Sequence, residues 1–247
     1  MYRRVYQNPP IEEAVCTFRF EPGSARDSDR TDALYALLRN RFVHRDFARH
    51  TELRVTIGHS GPTQEIHILD EALFTDESRT VQIRVGPNLL TVQHREPYGG
   101  WERFWSAIQM AYNAFREVEQ PKAINGISLR YVNTIELPDP VPRLDHYFAF
   151  HPHFGEALPV FPEAFMVAAQ TAIPDSQDML RIHLGNAGSA QERWRVILDL
   201  EVFLARPPSL PLDGVDTWLH RAHRRVGEAF EACIKDPLRD LFGLRED

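Results

Sequence analysis

Two long amphipathic segments constrain the fold of this chain more than any other feature of its sequence. The first, "GGWERFWSAIQMAYNAF", covers residues 99–115, and the second covers residues 215–234. The large apolar residues of the first segment recur at helical spacing and are Trp101, Phe104, Trp105, Ile108, Tyr112 and Phe115. This spacing predicts a helix with one apolar stripe, which must pack on a sheet or on other helices.

Strand-like segments accompany both predicted helices. In the first half, "RTVQIRV" and "LLTVQH" flank the turn residues "GPN" at 86–88, which predicts a β-hairpin, and "ISLRYVNTIEL" alternates as a further strand. In the second half, "AFMVAAQTAI", "MLRIHLGN" and "RWRVILDLEVFLA" have the same character. The sequence therefore predicts an α+β fold with two antiparallel-sheet-plus-long-helix halves, and the shared order of elements favours a degenerate duplication.

A proline-rich connection marks the predicted boundary between the halves. The stretch "PDPVPR" at 138–143 contains three prolines, which cannot continue the interior of a sheet. We therefore expect one half at 1–137 and the other at 144–247. The two halves could still pack as one domain.

Composition limits the classes of function. The formal net charge is −7, from 35 acidic and 28 basic residues, so general polyanion binding lacks the necessary basic balance. The chain carries no glycine-rich phosphate loop and no nucleophile elbow. We therefore expect no cofactor, and these absences favour a protein that is not an enzyme without deciding the point. The two cysteines, Cys16 and Cys233, imply no disulfide framework, and no apolar stretch is long enough to span a membrane. The expected location is the cytoplasm, without membrane contact.

One histidine-rich segment is a candidate for metal chemistry. "RLDHYFAFHPHFGE" brings together five potential ligands, Asp145, His146, His151, His153 and Glu156. Two histidines separated by one residue point to one side of an extended chain, as a metal site could use. The usual zinc spacings are absent, so a partly exposed aromatic-rich connection is the competing interpretation. The metal interpretation predicts a metal-assisted hydrolase or nuclease using Asp145, His151 and His153.

An arginine-rich segment is the candidate nucleic-acid patch. Apolar spacing predicts a helix over residues 31–47, whose exposed face would hold Arg39, Arg41 and Arg45, with Arg49 following. Between residues 39 and 54, five arginines oppose Asp46 and Glu52. No recognised nucleic-acid-binding motif accompanies this excess of positive charge, so a nucleic-acid partner is not favoured.

The N-terminal stretch "PPIEEAVCTFRF" raises a question about two adjacent acids, Glu12 and Glu13. Strand alternation places them on opposite faces, with Glu12 on the face of Ala14 and Cys16. They therefore cannot act as a paired acid and base.

The strand "ISLRYVNTIEL" offers partners for these acids. We expect Glu12 to accept a hydrogen bond from Tyr131 or Asn133 and Glu13 to pair with Arg130, because a carboxylate near a core needs partners. Three interpretations stay open for this group. Glu12 lies in solvent at a frayed strand end, the group fixes strand register, or it forms a ligand site between the halves.

Three stretches together resemble a known family. "PPIEEAVCTFRF", "YGGWERFW" with "ISLRYVNTIEL", and "LHRAHRRVGEAFEACIKDPLRDLFG" are similar to a sporadically distributed family of uncharacterised prokaryotic proteins of similar size. The resemblance implies no catalytic residues, and the patchy distribution of the family is typical of accessory genes in mobile or defence-associated loci.

Three hypotheses about function follow. The first is a non-enzymatic binding or accessory protein that acts through ligand contacts, a protein partner or self-association. The metal-assisted enzyme and the nucleic-acid-binding module are the alternatives.

Overall fold

The structure is a computed structural model of the 247-residue chain. It describes residues 4–21, 28–58, 61–139, 142–153, 164–174, 176–190, 193–205 and 210–245.

Within these residues the chain forms helices and strands in alternating groups. The helices are α1 (Ser28–Leu38), α2 (Trp101–Glu119), α3 (Leu144–Tyr147), α4 (Val215–Cys233) and α5 (Asp236–Leu241). The strands are β1 (Val5–Tyr6), β2 (Ile11–Phe20), β3 (His44–Gly58), β4 (Gly61–Thr75), β5 (Val81–Gly86), β6 (Leu89–Arg95), β7 (Ile124–Leu137), β8 (Met166–Ala172), β9 (Asp178–Ala190), β10 (Arg193–Leu204) and β11 (Leu244–Arg245).

Nine of the described strands form one antiparallel sheet in the order β3-β4-β5-β6-β2-β7-β10-β9-β8. The short strands β1 and β11 pair separately. The predicted α+β class is confirmed, since the long helices accompany an antiparallel sheet.

Internal contacts divide the chain into two compact units. The terminal unit comprises Met1–Val15, Ser128–Arg206 and Asp213–Asp247, and the central unit comprises Cys16–Ile127 and Pro207–Leu212. The predicted boundary at 138–143 and the predicted duplication stay predictions.

In the central unit, aromatic stacking joins α2 to the sheet. The apolar stripe of α2 is buried, as its spacing predicts, except that Trp105 is only half-buried. Phe18 of β2 stacks on Tyr112 with ring centroids 5.1 Å apart, and Phe20 stacks on Phe115 at 4.5 Å. Such large rings bury more apolar surface than any other side chains, so these pairs contribute strongly to the core.

The predicted hairpin of the central unit is confirmed. β5 ends at Gly86 and β6 begins at Leu89, so two residues form the loop. Asn88 in this loop has a φ of 56°, in the left-handed region that asparagine tolerates better than most residues.

The predicted helix over residues 31–47 is wrong in its second half. α1 ends at Leu38, and from His44 the chain is the long strand β3, which pairs with β4 from His44 opposite Thr75 onward. The fifteen-residue ladder with β4 decides the conformation, because tertiary pairing overrides a local helical spacing.

In the terminal unit, α4 packs on β10 through its predicted apolar stripe. A buried acid at the start of β9 joins the helix to the sheet. The indole of Trp218 donates to Asp178 Oδ1 at 2.8 Å, and Arg221 Nη2 donates to Asp178 Oδ2 at 2.9 Å. Asp178 is therefore a buried carboxylate with two charge-assisted hydrogen bonds, the arrangement that burial of an acid requires.

We predict that Phe18→Ala lowers the free energy of unfolding by about 3–5 kcal/mol, because it removes a fully buried ring and leaves a cavity. Urea denaturation followed by fluorescence measures the change. The matched control is Arg19→Ala, one residue along the same strand and exposed, which should change stability by no more than about 0.5 kcal/mol. Equal effects of the two substitutions would contradict the assigned faces of β2.

Candidate functional site

Charged side chains gather on one face of the sheet in the terminal unit. In β10 the residues Val196, Leu198, Leu200 and Val202 are buried. Because successive side chains point to opposite faces, Asp199 and Glu201 project from the other face. The strand register places Arg130 of β7 and Arg181 of β9 opposite Glu201, on either side of it, and His183 opposite Asp199. We call this group the charged face and define it as Glu13, Arg130, Gln170, Arg181, His183, Asp199 and Glu201.

Arg130 and Asp199 form the best-defined ion pair of the charged face. Arg130 Nε donates to Asp199 Oδ1 at 2.8 Å, and Arg130 Nη2 donates to Asp199 Oδ2 at 2.7 Å. The hydrogen bonds to Asp199 raise the pKa of Arg130, against the opposing effect of burial, and the charges of Asp199, Glu201 and Glu13 add to this rise. This two-point geometry fixes the plane of the guanidinium group as well as its position.

A second set of contacts continues the charged face across β9 and β8. Arg181 Nη1 donates to Glu201 Oε2 at 2.7 Å, and its Nη2 donates to Gln170 Oε1 at 3.3 Å. The guanidinium carbon of Arg181 lies 4.6 Å from the ring centroid of Phe203, a distance typical of a cation–π interaction. His183 Nδ1 lies 3.8 Å from Asp199 Oδ2, an ion pair when the imidazole is protonated. The contacts therefore run without a gap from β7 through β10 and β9 to β8.

The arginines of the charged face are half-buried, and the acids with which they pair are more buried. Arg130 is 43% exposed and Asp199 13%, whereas Arg181 is 38% exposed and Glu201 18%. The outer layer therefore offers N–H donors held in fixed directions. Both acids accept hydrogen bonds from arginine. The arrangement is suited to binding acceptor groups.

The structure describes a hydrogen-bond donor for Glu12 that was not among those predicted. Glu12 is exposed and accepts a hydrogen bond from the hydroxyl of Thr134. Asn133, one of the two expected donors, is buried and instead donates from Nδ2 to the carbonyl of Leu198 at 3.0 Å. Asn133 and Thr134 are adjacent on β7, so their side chains point to opposite faces of the sheet. The amide of Asn133 therefore bonds to the backbone of β10 and not to Glu12.

The other predicted residues of this group have separate environments. Tyr131 is buried, and its ring lies 6.1 Å from that of His223 in α4. The charge of Glu13 raises the pKa of Arg130, and Arg130 donates the two hydrogen bonds described above to Asp199. The sequence therefore identified Arg130 as a site residue without identifying its principal partner.

The histidine-rich segment shows other contacts. Asp145 accepts a 2.7 Å hydrogen bond from Arg143 Nη2. The Nδ1 atom of His151 lies 3.0 Å from the carbonyl oxygen of Pro152, and His153 is exposed. Glu156 lies outside the described residues. Among the residues that the structure describes, no group of three or more histidine, cysteine, aspartate or glutamate side chains is placed to hold a metal ion.

The arginines of the candidate nucleic-acid patch point to different elements. Arg45 pairs with Asp32 of α1 at 2.6 Å and lies over the rings of Tyr35 and Phe47. Arg41 instead reaches α2, where it donates to the hydroxyl of Ser106 at 3.0 Å. Arg39 and Arg49 are exposed. The helical face that was expected to present these arginines together does not exist, because α1 ends at Leu38.

Sequence reasoning missed Asp199, Glu201, Arg181 and His183. Asp199 and Glu201 lie two residues apart in the otherwise apolar stretch "ILDLEVF", and Arg181 and His183 lie two residues apart in "LRIHLG". Two charges at this spacing on a strand with a buried face indicate a shared polar face, and this signal was present.

Comparison with known proteins assigns no family, since no protein-family model and no curated protein matches the chain. Of the helices in the described ranges, none is long and apolar enough to cross a bilayer.

We predict measurable coupling between Arg130 and Asp199. A double-mutant cycle with Arg130→Gln and Asp199→Asn should give a coupling energy of roughly 1 kcal/mol, because the bidentate pair is only half shielded from solvent. Urea denaturation of the four proteins provides the energies.

The control cycle uses Arg195 and Glu136, which lie opposite each other on the same face but only approach to 3.9 Å. Its coupling should be about 0.3 kcal/mol or less. If the two cycles gave equal coupling, the fixed geometry assigned to Arg130 would be wrong.

Proposed function

We propose that this chain is a non-catalytic binding or accessory protein that recognises a partner protein through the charged face of the terminal unit. The observation that carries the proposal is the layered arrangement of charge, in which exposed guanidinium groups are held in place by less exposed carboxylates.

Fixed arginines suit protein recognition for an energetic reason. A long side chain that becomes ordered on binding loses roughly 0.5–1.5 kcal/mol of conformational freedom. Arg130 and Arg181 are already ordered by their contacts with Asp199, Glu201 and Gln170. Their outward N–H groups can therefore meet carbonyl or carboxylate oxygens of a partner with a smaller entropic loss. Arginine is among the residues that contribute most to binding energy in protein interfaces.

The charge balance of this surface favours a protein over a nucleic acid. Three acids, Glu13, Asp199 and Glu201, accompany two arginines, so the formal charge of the face is not positive while His183 is neutral. A polyanion is attracted mainly by an excess of positive charge. A surface that displays donors without a net positive charge instead selects its partner by hydrogen-bond geometry.

Other observations fit an accessory role in a prokaryotic cytoplasm. The described cysteines, Cys16 and Cys233, are free and buried, as expected in a reducing compartment. Burial raises the pKa of both thiols, which disfavours the reactive thiolate. The family that the sequence resembles implies accessory genes in mobile or defence-associated loci. The metal-assisted hydrolase and the nucleic-acid module lack a comparable arrangement among the described residues.

Site-specific photo-crosslinking in cells of the source organism tests the proposal. A benzophenone amino acid replaces Ala168, which is exposed and lies opposite His183 on the same side of the sheet. We expect a discrete crosslinked product, because a partner bound to the charged face would lie against this position. Its mass and peptides identify the partner, including a second copy of the chain.

Two controls make the result specific. The same probe at Thr217, exposed on α4, should give no such product. The double substitution Arg130→Gln and Arg181→Gln should abolish the product from position 168 while circular dichroism shows an unchanged fold. A product that survives this double substitution, or no product at all from position 168, would refute the proposed surface.

A further inference from the structure

Strand β8 forms one edge of the nine-stranded sheet. It runs antiparallel to β9, with Met166 opposite Gly185 and Ala172 opposite Met179. Among the described strands, none pairs with the outer side of β8, which faces away from β9. An edge of this kind carries backbone N–H and C=O groups that can bond to a further strand.

The hydrogen bonds at the two ends of the ladder show which backbone groups of β8 point outward. At one end, the N–H group of Asn186 donates to the carbonyl of Phe165 at 3.3 Å. At the other end, the N–H group of Ile173 donates to the carbonyl of Asp178 at 2.9 Å. Bonded and non-bonded pairs alternate along an antiparallel ladder, so the odd-numbered residues between these ends bond to β9. The N–H and C=O groups of the even-numbered residues of β8 therefore point to the free edge.

The sequence of β8 leaves this edge unprotected. Its seven residues, "MVAAQTA", include no charged residue and no proline, and its register with β9 is continuous. Natural sheets protect their edges with charges, prolines or bulges, because an unprotected edge accepts further strands. The strand at the other edge of the sheet, β3, carries Arg45 and Asp46 near its start. β8 is therefore the edge that is suited to pairing.

The apolar face of the sheet continues to this edge with incomplete cover. Leu184 of β9 is buried, but Ile182 on the same face is only half-buried. Val167 and Ala169 of β8, which lie opposite these two residues, are also half-buried. The long helix α4 packs on β10, two strands away from β8. Apolar side chains of an added strand would therefore extend the core beside Val167 and Ala169.

On the opposite face of β8, the side chain of Gln170 is oriented by Arg181. Its Oε1 accepts hydrogen bonds from Arg181 Nε at 3.4 Å and from Arg181 Nη2 at 3.3 Å. The described hydrogen bonds of Gln170 use Oε1 alone, so the two donor hydrogens of its amide nitrogen are left for a neighbour. The nearby guanidinium group of Arg181 favours an acceptor with negative charge.

We propose that the partner binds by adding an extended segment to the outer edge of β8, as a further strand of the sheet. This inference rests on the proposed function, because the charged face ends at β8. The segment pairs with the outward backbone groups of Ala168 and Gln170. Its side chains alternate, with apolar residues beside Val167 and Ala169 and a carboxylate beside Gln170. Backbone hydrogen bonds supply the affinity of such a complex, and the alternating side chains supply its specificity.

Photo-crosslinking from Met166 in cells of the source organism tests the inference. Met166 is 78% exposed and lies on β8, so a benzophenone amino acid at this position should give a discrete product with the added strand. Ala168→Pro removes an N–H group that points to the free edge and leaves the bonds to β9 in place. The yield of the product should fall roughly tenfold or more, because a hydrogen bond is lost and the proline ring obstructs a strand.

The matched control is Ala168→Val. It changes the size of the same side chain but keeps the N–H group, so the yield should stay within about a factor of two of the natural value. Circular dichroism confirms that each variant folds.

A second substitution tests the edge without proline. Ala169→Lys places a charge on the half-buried apolar face of β8, which is one way in which natural sheets prevent strand addition. It should also lower the yield roughly tenfold or more, because a lysine disfavours apolar neighbours. Peptide mapping should place the crosslink in a partner segment whose apolar residues alternate with acidic ones.

The outcomes separate this inference from the proposed function. A product that survives both edge substitutions, but is lost when Arg130 and Arg181 are replaced by glutamine, would overturn strand addition and leave the charged face as the binding surface. Equal losses with Ala168→Pro and Ala168→Val would also overturn it. No product from position 166 or from position 168 would overturn both proposals. A crosslinked segment with helical periodicity, or β8 of a second copy, would overturn the assigned partner segment.

Discussion

The alternation of side chains along β7 and β10 is the constraint on which the terminal unit depends. In β10 the residues Leu198 and Leu200 point into the core under α4, and Asp199 and Glu201 point away from it. A slip of one residue would bury both acids and expose the leucines. The same periodicity thus produces both the apolar layer and the charged face. The bidentate contact of Arg130 with Asp199 crosses between the two strands on the polar side and requires that both side chains share this face.

Much of the fold could be predicted from the sequence because its strongest signals are periodic. The aromatic stripe of α2 and the hairpin at Gly86 are local patterns, and both occur where the pattern places them. The helix expected to continue to Phe47 was wrong, since a partner strand some thirty residues later in the chain decides that region. Pairing of this kind depends on sequence-distant residues, which a local pattern does not contain. The short strands β1 and β11 were missed for the same reason.

The candidate site was predicted only in part. Arg130 was identified by its position on the outer face of a strand, but Asp199 lies 69 residues later in the chain. Its role depends on which strand neighbours β7, and the sequence alone does not give this order. Glu12 illustrates the same limit, since Thr134 rather than Asn133 is the side chain that reaches it.

The proposed recognition surface is ordered before any partner arrives, and the size of the assembly that contains the chain tests it most directly. Extracts of source cells that carry either the natural chain or Arg130→Glu with Arg181→Glu would be separated by size and examined by native mass spectrometry. We expect the natural chain to elute in a complex larger than the monomer and the folded variant to elute as a free monomer. If both proteins eluted in the same complex, or both as monomers, the charged face would not be the binding surface.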